Sequence, residues 1–275
     1  VRKVDYSERN LDTGELTFAE QPTTVSYGVI LQPRGWISLY GTYIEGLEST
    51  PAAPLSAANA GSTVPATNST QVEAGIKLEP RPGLLVQAAL FEIERGSAFV
   101  NAANVYVLDG RARFRGAELS VTGELTPNWS LYATTQFLDA KQVSGAQTQI
   151  TTDPDTGRVT VEPTVVGRKI ENTPERTVSL ATEYRFERGL PGLSVNAAAY
   201  YVSERAVNPL NQVFIAGYTL FDLGASFTTA LRDTELTVQL TAQNVAGKKY
   251  FSSTGGNIIA QGPPRVIKFS ISTRF

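Results

Sequence analysis

The 275-residue sequence contains no cysteine, no histidine and no methionine. Without cysteine there are no disulfides, thiolate metal sites or cysteine nucleophiles. Without histidine, Ser-His-Asp catalysis, histidine zinc sites and His-ligated haem are excluded from within these residues. Without methionine the chain does not start at a start codon, and a processed product or a piece of a longer protein is expected. An excess of one charge is missing too. Lys and Arg number 24 against 26 Asp and Glu, a formal net charge of -2, so the basic surface that a nucleic-acid partner needs is absent. Long apolar runs are also lacking. The longest, near Gly83 to Phe91, is interrupted by Gln87, whereas a membrane helix needs about 20 apolar residues. A membrane β-barrel is not excluded by this, because its strands are short and only half apolar. Val1 to Asn10 is charged and does not read as a signal peptide.

What the sequence does have is alternation. From Ile267 to Phe275 one set reads Ile267, Phe269, Ile271, Thr273 and Phe275, and the other Lys268, Ser270, Ser272 and Arg274. A strand separates these sets onto two faces and a helix mixes them. The same separation recurs at Leu236 to Gln243, Leu193 to Val202, Trp129 to Leu138 and Ala117 to Leu125. About twelve strands are expected, from Val1 to Glu8 at the start to Arg265 to Phe275 at the end. Most have roughly 9–13 residues, against the ~9–11 that cross a bilayer at a tilt.

The connections alternate as well. Short turns rich in Pro and Gly fall at Pro33 to Gly35, Pro80 to Gly83, Thr126 to Asn128, Glu187 to Gly192 and Ala230 to Thr234. Longer polar segments fall at Leu11 to Pro22, Leu47 to Thr70, Gly96 to Arg111, Lys141 to Pro174, Arg205 to Gln212 and Ala246 to Pro263. Short turns on one side and long loops on the other are the arrangement of an outer-membrane barrel. The fold class expected is therefore all-β, an antiparallel transmembrane β-barrel. Its aliphatic and aromatic face would meet lipid and its Ser/Thr/Gln/Glu face a wet lumen. Trp36, Trp129, Tyr184 and Phe186 flank short turns and suit an aromatic girdle. Two other readings stay open at this point: a complete small barrel acting as a passive pore or as an outer-membrane enzyme, and a soluble β-sandwich that binds ligand at its loops and whose aromatic residues pack a core.

No catalytic constellation emerges. Glu118 and Glu124 alternate onto the presumed lumen face, where pairing with Arg or Lys of neighbouring strands is the ordinary role. Arg113 and Arg115 fall on the opposite alternation, near the loop side. Asp153-Pro154-Asp155-Thr156-Gly157 lacks EF-hand spacing and reads as a hairpin tip.

Eight short patterns then occur in a fixed order. They are Tyr27-Gly28-Val29 with Pro33 and Ser38-Leu39-Tyr40; Gln71-Val72-Glu73-Ala74-Gly75-Ile76-Lys77; Leu90-Phe91-Glu92-Ile93-Glu94-Arg95; and Arg115-Gly116-Ala117-Glu118-Leu119, followed by Trp129 to Phe137. After them come Asn172-Thr173-Pro174-Glu175, Gly217 to Asp222, Leu240 with Asn244-Val245 and Lys249-Tyr250-Phe251, and Gly262-Pro263-Pro264-Arg265. Together they resemble the C-terminal half of a TonB-dependent outer-membrane siderophore receptor, over about Ser26 to Phe275. Arg176 stands where that family usually has His. The resemblance implies a barrel of roughly 22 strands, of which these would be about the last twelve, with the plug domain, energy-coupling box and first strands absent from this chain. It implies no catalysis and no cofactor. The cargo would be a ferric siderophore, the partners the TonB complex through the missing plug, the barrel-assembly machinery and outer-membrane lipid. Loop-side aromatics Tyr43, Tyr106, Tyr200, Tyr201 and Phe251 would contribute to ligand contact or to the upper girdle. Phe269, Ile271 and Phe275 would form the assembly signal of the terminal strand.

Overall fold

The computed structural model describes residues 1–3, 6–9, 14, 16–21, 23–101, 103–145, 148–152, 156–157, 159–163, 165–231, 234–255 and 258–274. Eleven strands form one continuous antiparallel sheet. In chain order they are β1 (Ser26–Arg34), β2 (Ile37–Glu48), β3 (Thr67–Arg81), β4 (Leu84–Val100), β5 (Tyr106–Thr126) and β6 (Trp129–Ser144). They continue with β7 (Arg176–Arg185), β8 (Leu193–Val202), β9 (Tyr218–Leu231), β10 (Thr234–Gln243) and β11 (Val266–Arg274). Each strand pairs with its neighbours in sequence, so the sheet is a meander with β1 and β11 at its edges.

The expected strand at Val1 to Glu8 is not part of this sheet. Arg2–Lys3 pairs with Thr23–Thr24, and Tyr6–Arg9 with Leu16–Glu20, as separate two-stranded pieces. The segment is charged along its length and has no apolar alternation to lay against a hydrophobic phase. Two other expectations are corrected. Gly96 to Arg111 is not a loop, because β4 runs to Val100 and β5 starts at Tyr106. The long segments after β6 and β10 carry hairpins of their own, Thr148–Thr152 with Val159–Pro163 and Phe251–Gly255 with Ile258–Gln261. The Asp153 to Asp155 tip lies outside the described residues.

Register places the two sets of side chains as the alternation requires. One row across the sheet reads Leu39, Ile76, Ala88, Leu119, Thr135 and Val178, and the adjacent row Tyr40, Gly75, Ala89, Glu118, Gln136 and Thr177. The apolar face is bare: Leu90, Leu119, Phe137, Leu180, Phe221, Leu223, Leu240, Ile267, Phe269 and Ile271 are all exposed. Among the described residues no large side chain is fully buried. The buried apolar residues are instead mainly small ones in or near the long loops, such as Ala53, Val64, Val165, Val207 and Ile215. A soluble sandwich would bury the sheet's apolar face; this one offers it to lipid. The polar face curls, since side chains from six successive strands, from Tyr40 on β2 to Thr177 on β7, line one cavity of about 480 Å³.

Aromatic residues mark the short-turn end of the apolar belt. Trp129 donates its indole N–H to Thr182 Oγ1 at 2.7 Å, and Tyr184 meets Phe186 edge to face at 5.0 Å. From Trp129 up to Phe137, β6 rises about 27 Å along its own axis, a little over 20 Å of height at a ~40° tilt. That matches the lipid-facing band of a barrel.

Candidate functional site

At the long-loop end of β4, β5 and β6 the two faces exchange character. Below this level the outward residues are apolar: Leu90 on β4, Ala117 on β5 and Phe137 on β6, in register. One step higher the outward row is Glu92, Arg115 and Asp139, and the next is Glu94, Arg113 and Lys141. Arg115 pairs with Glu92, and Lys141 with Asp139 at 2.8 Å. Over the same rise the inward row turns apolar, with Phe91, Ile93, Phe114, Leu138 and the buried Ala140 and Ala112. Outward charge excludes acyl chains, so the bilayer ends between Leu90 and Glu92. Above it the strands stand in water as a collar with an apolar inner wall.

The loops fold over this collar. Residues 49–66 and 165–171, with Pro209, close a cavity of about 660 Å³ against Phe99, Tyr106 and the upper wall. That volume lies within the range of small-molecule sites. Arg95 reaches into it, its guanidinium 5.0 Å from the Phe114 ring and 3.5 Å from Glu48. Burial pushes the Tyr106 phenol up from its ordinary pKa, so it stays a neutral donor through the physiological range. Lys169 at the cavity's edge is held by Glu175 at 2.9 Å.

Lower on the curled face lies a second set. Tyr40 donates to Glu73 at 2.6 Å, Gln71 to Glu73 at 3.0 Å, and Gln136 to Glu118 at 2.8 Å. Among the described residues neither Glu73 nor Glu118 forms an ion pair, unlike Glu124, which binds Arg185 at 3.0 Å. Tyr40 reaches Glu73 only because Gly75 lies beneath its ring. A Cβ there would stand 2.6 Å from three of its atoms. Gly116 makes the same allowance for Phe91. These two glycines belong to the third and fifth strands' sequence patterns, and their role is to let a cross-strand ring lie flat. Gly75→Val therefore displaces Tyr40 and strips Glu73 of its hydroxyl donor. A loss of roughly 1–3 kcal/mol in reversible urea unfolding from bilayers is expected, and an unchanged midpoint would contradict the packing argument.

The structure does not bring the sequence-predicted aromatics to one place. Tyr43 lies on the apolar face, stacked on Tyr27 at 6.0 Å, its hydroxyl donating to Glu45 at 2.9 Å. Tyr201 shares that face, opposite Val178 and Thr219. Tyr200 points the other way and lines a cavity of about 590 Å³ on the curled face with Asp222 and Thr241. Tyr106 is at the collar cavity. Phe251 is exposed at the start of its hairpin. Phe269 and Ile271 are exposed on the apolar face of β11; Phe275 lies outside the described residues. Glu73, Tyr40 and Phe91 were not singled out from sequence as site residues, though each sits inside or beside one of its patterns.

Comparison with known proteins agrees with this geometry. Residues 2–245 match the family described as TonB dependent receptor-like, beta-barrel. The chain is 30% identical to the ferrichrome receptor FcuA of Yersinia enterocolitica, covering 100% of this chain and 36% of that protein. It is 29% identical to the probable TonB-dependent receptor BfrD of Bordetella pertussis, covering 89% of this chain and 33% of that one. The crystal structure of BauA, the ferric preacinetobactin receptor of Acinetobacter baumannii, superposes with a TM-score of 0.78 at 25% identity, over 93% of this chain and 37% of that one. The chain thus spans about a third of the length of the curated relatives it matches.

Proposed function

We propose, because this chain belongs to the TonB-dependent receptor β-barrel family, that it is the C-terminal barrel portion of an outer-membrane importer of ferric siderophores. The family is one of transport receptors, not enzymes, and its members are outer-membrane proteins. In this reading residues 1–275 supply about half the strands of a 22-stranded barrel. The plug, which the TonB complex engages, belongs to the rest of the protein. The observation that carries the reading is the exposed apolar belt ending at Leu90 and Phe137, with every long loop gathered beyond it.

The chain's own chemistry fits that task. A siderophore encloses its iron, so the protein needs no metal ligands. The collar offers an apolar aromatic wall with a few polar groups at its mouth, which suits a bulky, partly apolar chelate. Tyr106 lines the collar cavity and Tyr200 the open concave face, and they are the aromatic residues best placed to touch the chelate, with Phe251 at the rim. Tyr43 and Tyr201 face outward and serve the upper girdle, where amphipathic rings sit at the headgroup level. Glu73 and Glu118 share their cavity with Lys77, whose ammonium sits over the Tyr40 ring and pairs with neither carboxylate, so the wall keeps an acidic excess that would receive a basic surface from within the barrel. Phe269, Ile271 and Phe275 would present the terminal apolar strand to the assembly machinery.

The test is iron uptake by cells producing or lacking the full-length protein, with radiolabelled ferrichrome and ferric preacinetobactin as probes. Saturable uptake that disappears on removing either this protein or the energy supply is expected for at least one of them. Uptake that rises linearly with concentration and ignores the energy supply would replace this reading with a passive pore.

A further inference from the structure

Three of the long loops meet at one buried guanidinium. Arg205 is only 6% exposed, although it follows β8 directly and lies on the loop side. Its Nη1 donates to Asn172 Oδ1 at 3.2 Å and to the Ser252 carbonyl at 2.7 Å, and its Nη2 to the Phe251 carbonyl at 2.9 Å. Asn172 belongs to the segment between β6 and β7, and Phe251 and Ser252 to the hairpin between β10 and β11. Arg205 itself belongs to the segment between β8 and β9. One side chain therefore bridges all three.

The surroundings reinforce the junction. Asn172 adopts a left-handed φ of 54°. Its Oδ1 accepts a second bond, from the Thr254 N–H at 3.2 Å, and its own N–H donates to the Ala206 carbonyl at 2.9 Å. Thr254 Oγ1 donates to the Ile258 carbonyl at 3.0 Å. The guanidinium lies 5.7 Å over the Tyr218 ring, which packs on Tyr250 at 4.3 Å. Among the described residues no carboxylate is involved. A buried cation satisfied by neutral oxygens is costly to desolvate, and its Nε has no partner among the described residues. Such a group gains its value from geometry: a planar fork can hold carbonyls from two directions at once, which a lysine ammonium on a flexible stem cannot reproduce.

We infer that Arg205 is a positioning residue that makes these three loops move as one body, setting where Phe251 stands above the barrel. That the loops receive a ligand rests on the uptake reading above; their coupling does not. A second link serves as an internal control. Asn211 and Lys169 exchange two bonds, at 2.7 and 2.9 Å, and tie only the first two loops together.

Hydrogen exchange on the folded full-length protein in detergent, without ligand, tests the inference. Arg205→Ala is expected to speed exchange roughly tenfold or more at both Asn172 and Thr254, and Arg205→Lys to resemble it. Asn211→Ala is expected to loosen the segment near Lys169 and leave Thr254 protected. Faster exchange confined to the Arg205 segment, or full protection in Arg205→Lys, would overturn the coupling. If Arg205→Ala does not assemble, Arg205→Lys carries the same comparison. The exchange result stands whichever ligand the protein takes, and the uptake experiment stands whichever way the loops couple.

Discussion

Full-length protein carrying Leu119→Arg is expected to be nearly absent from the outer membrane, or to unfold from bilayers with a stability lower by about 2–4 kcal/mol. Leu119 sits four residues below Arg115 on the same face of β5, exposed among Ala88 and Thr135 of the neighbouring strands. A guanidinium there must either enter hydrocarbon or drag water after it. The control is Asp139→Ala, which removes a charge from the same face two residues beyond Phe137. It breaks only an exposed pair with Lys141, worth at most about 1 kcal/mol, and should assemble normally. Folded protein is read by its heat-dependent mobility on gels. Equal assembly of the two variants would mean that this face does not meet lipid, and the barrel orientation would have to be reversed.

The second large effect concerns the boundary itself. The chain has no cysteine, so a single introduced thiol is the only one within these residues. With Glu94→Cys, a membrane-impermeant maleimide added to intact cells should label the protein rapidly. With Leu119→Cys, labelling should be slower by more than about tenfold, because the thiolate that reacts is suppressed in an apolar phase. The informative variant is Leu90→Cys, two residues from Glu92, which should follow Leu119 and not Glu94. Rapid labelling at Leu90 would lower the boundary by at least one step and take the apolar belt below the height a bilayer requires.

Much of this was legible in the sequence. The expected strands include all eleven of the sheet, and the contrast of short and long connections puts the long loops at one end. Val1 to Glu8 stays outside the sheet for a physical reason: Arg2, Lys3, Glu8 and Arg9 leave no face apolar enough to lay against lipid. The ends of β4 and β5 are hidden in the sequence because polar and turn-forming residues (Ser97, Asn101, Asn104, Asp109, Gly110) interrupt the β-forming Phe99, Val100, Tyr106 and Val107. Polarity above a membrane signals water, not irregular backbone. One signal was present and went unused. Val86, Ala88 and Leu90 keep one phase, and Phe91 and Ile93 take the other. Adjacent Leu90 and Phe91 mark the slip, which is the membrane edge written in the sequence.

The candidate site was less legible. Tyr43 and Tyr201 lie near loop-side strand ends, but place along a strand does not say which face a residue takes. Their immediate neighbours by one step, Thr42 and Tyr200, are the ones that face inward, so parity alone would have separated Tyr200 from Tyr201. Arg205 could not have been found this way. Its partners are Asn172, Phe251 and Ser252, 33 to 47 residues distant, and nothing in the local sequence around Arg205 announces them. Gly75 and Gly116 were visible as parts of patterns, but their reason, a ring lying across the strand, exists only in the register.

The apolar belt has a consequence for the lipid around it. Its lower limit is fixed by Trp129 and Tyr184 and its upper limit by the charges at Glu92, Arg115 and Asp139. Neither limit can shift by less than two residues, because a shift of one exchanges the faces. The protein therefore has a set hydrophobic thickness, and the bilayer must adjust to it. Each ångström of mismatch costs a fraction of a kcal/mol, multiplied around a wide perimeter. Where acyl chains are longer, the lipid at its edge must thin, and two such proteins that share one thinned annulus disturb less lipid than two apart. Clustering within the membrane then follows from the spacing of a few side chains on β4, β5 and β6, with no contact between the clustered molecules.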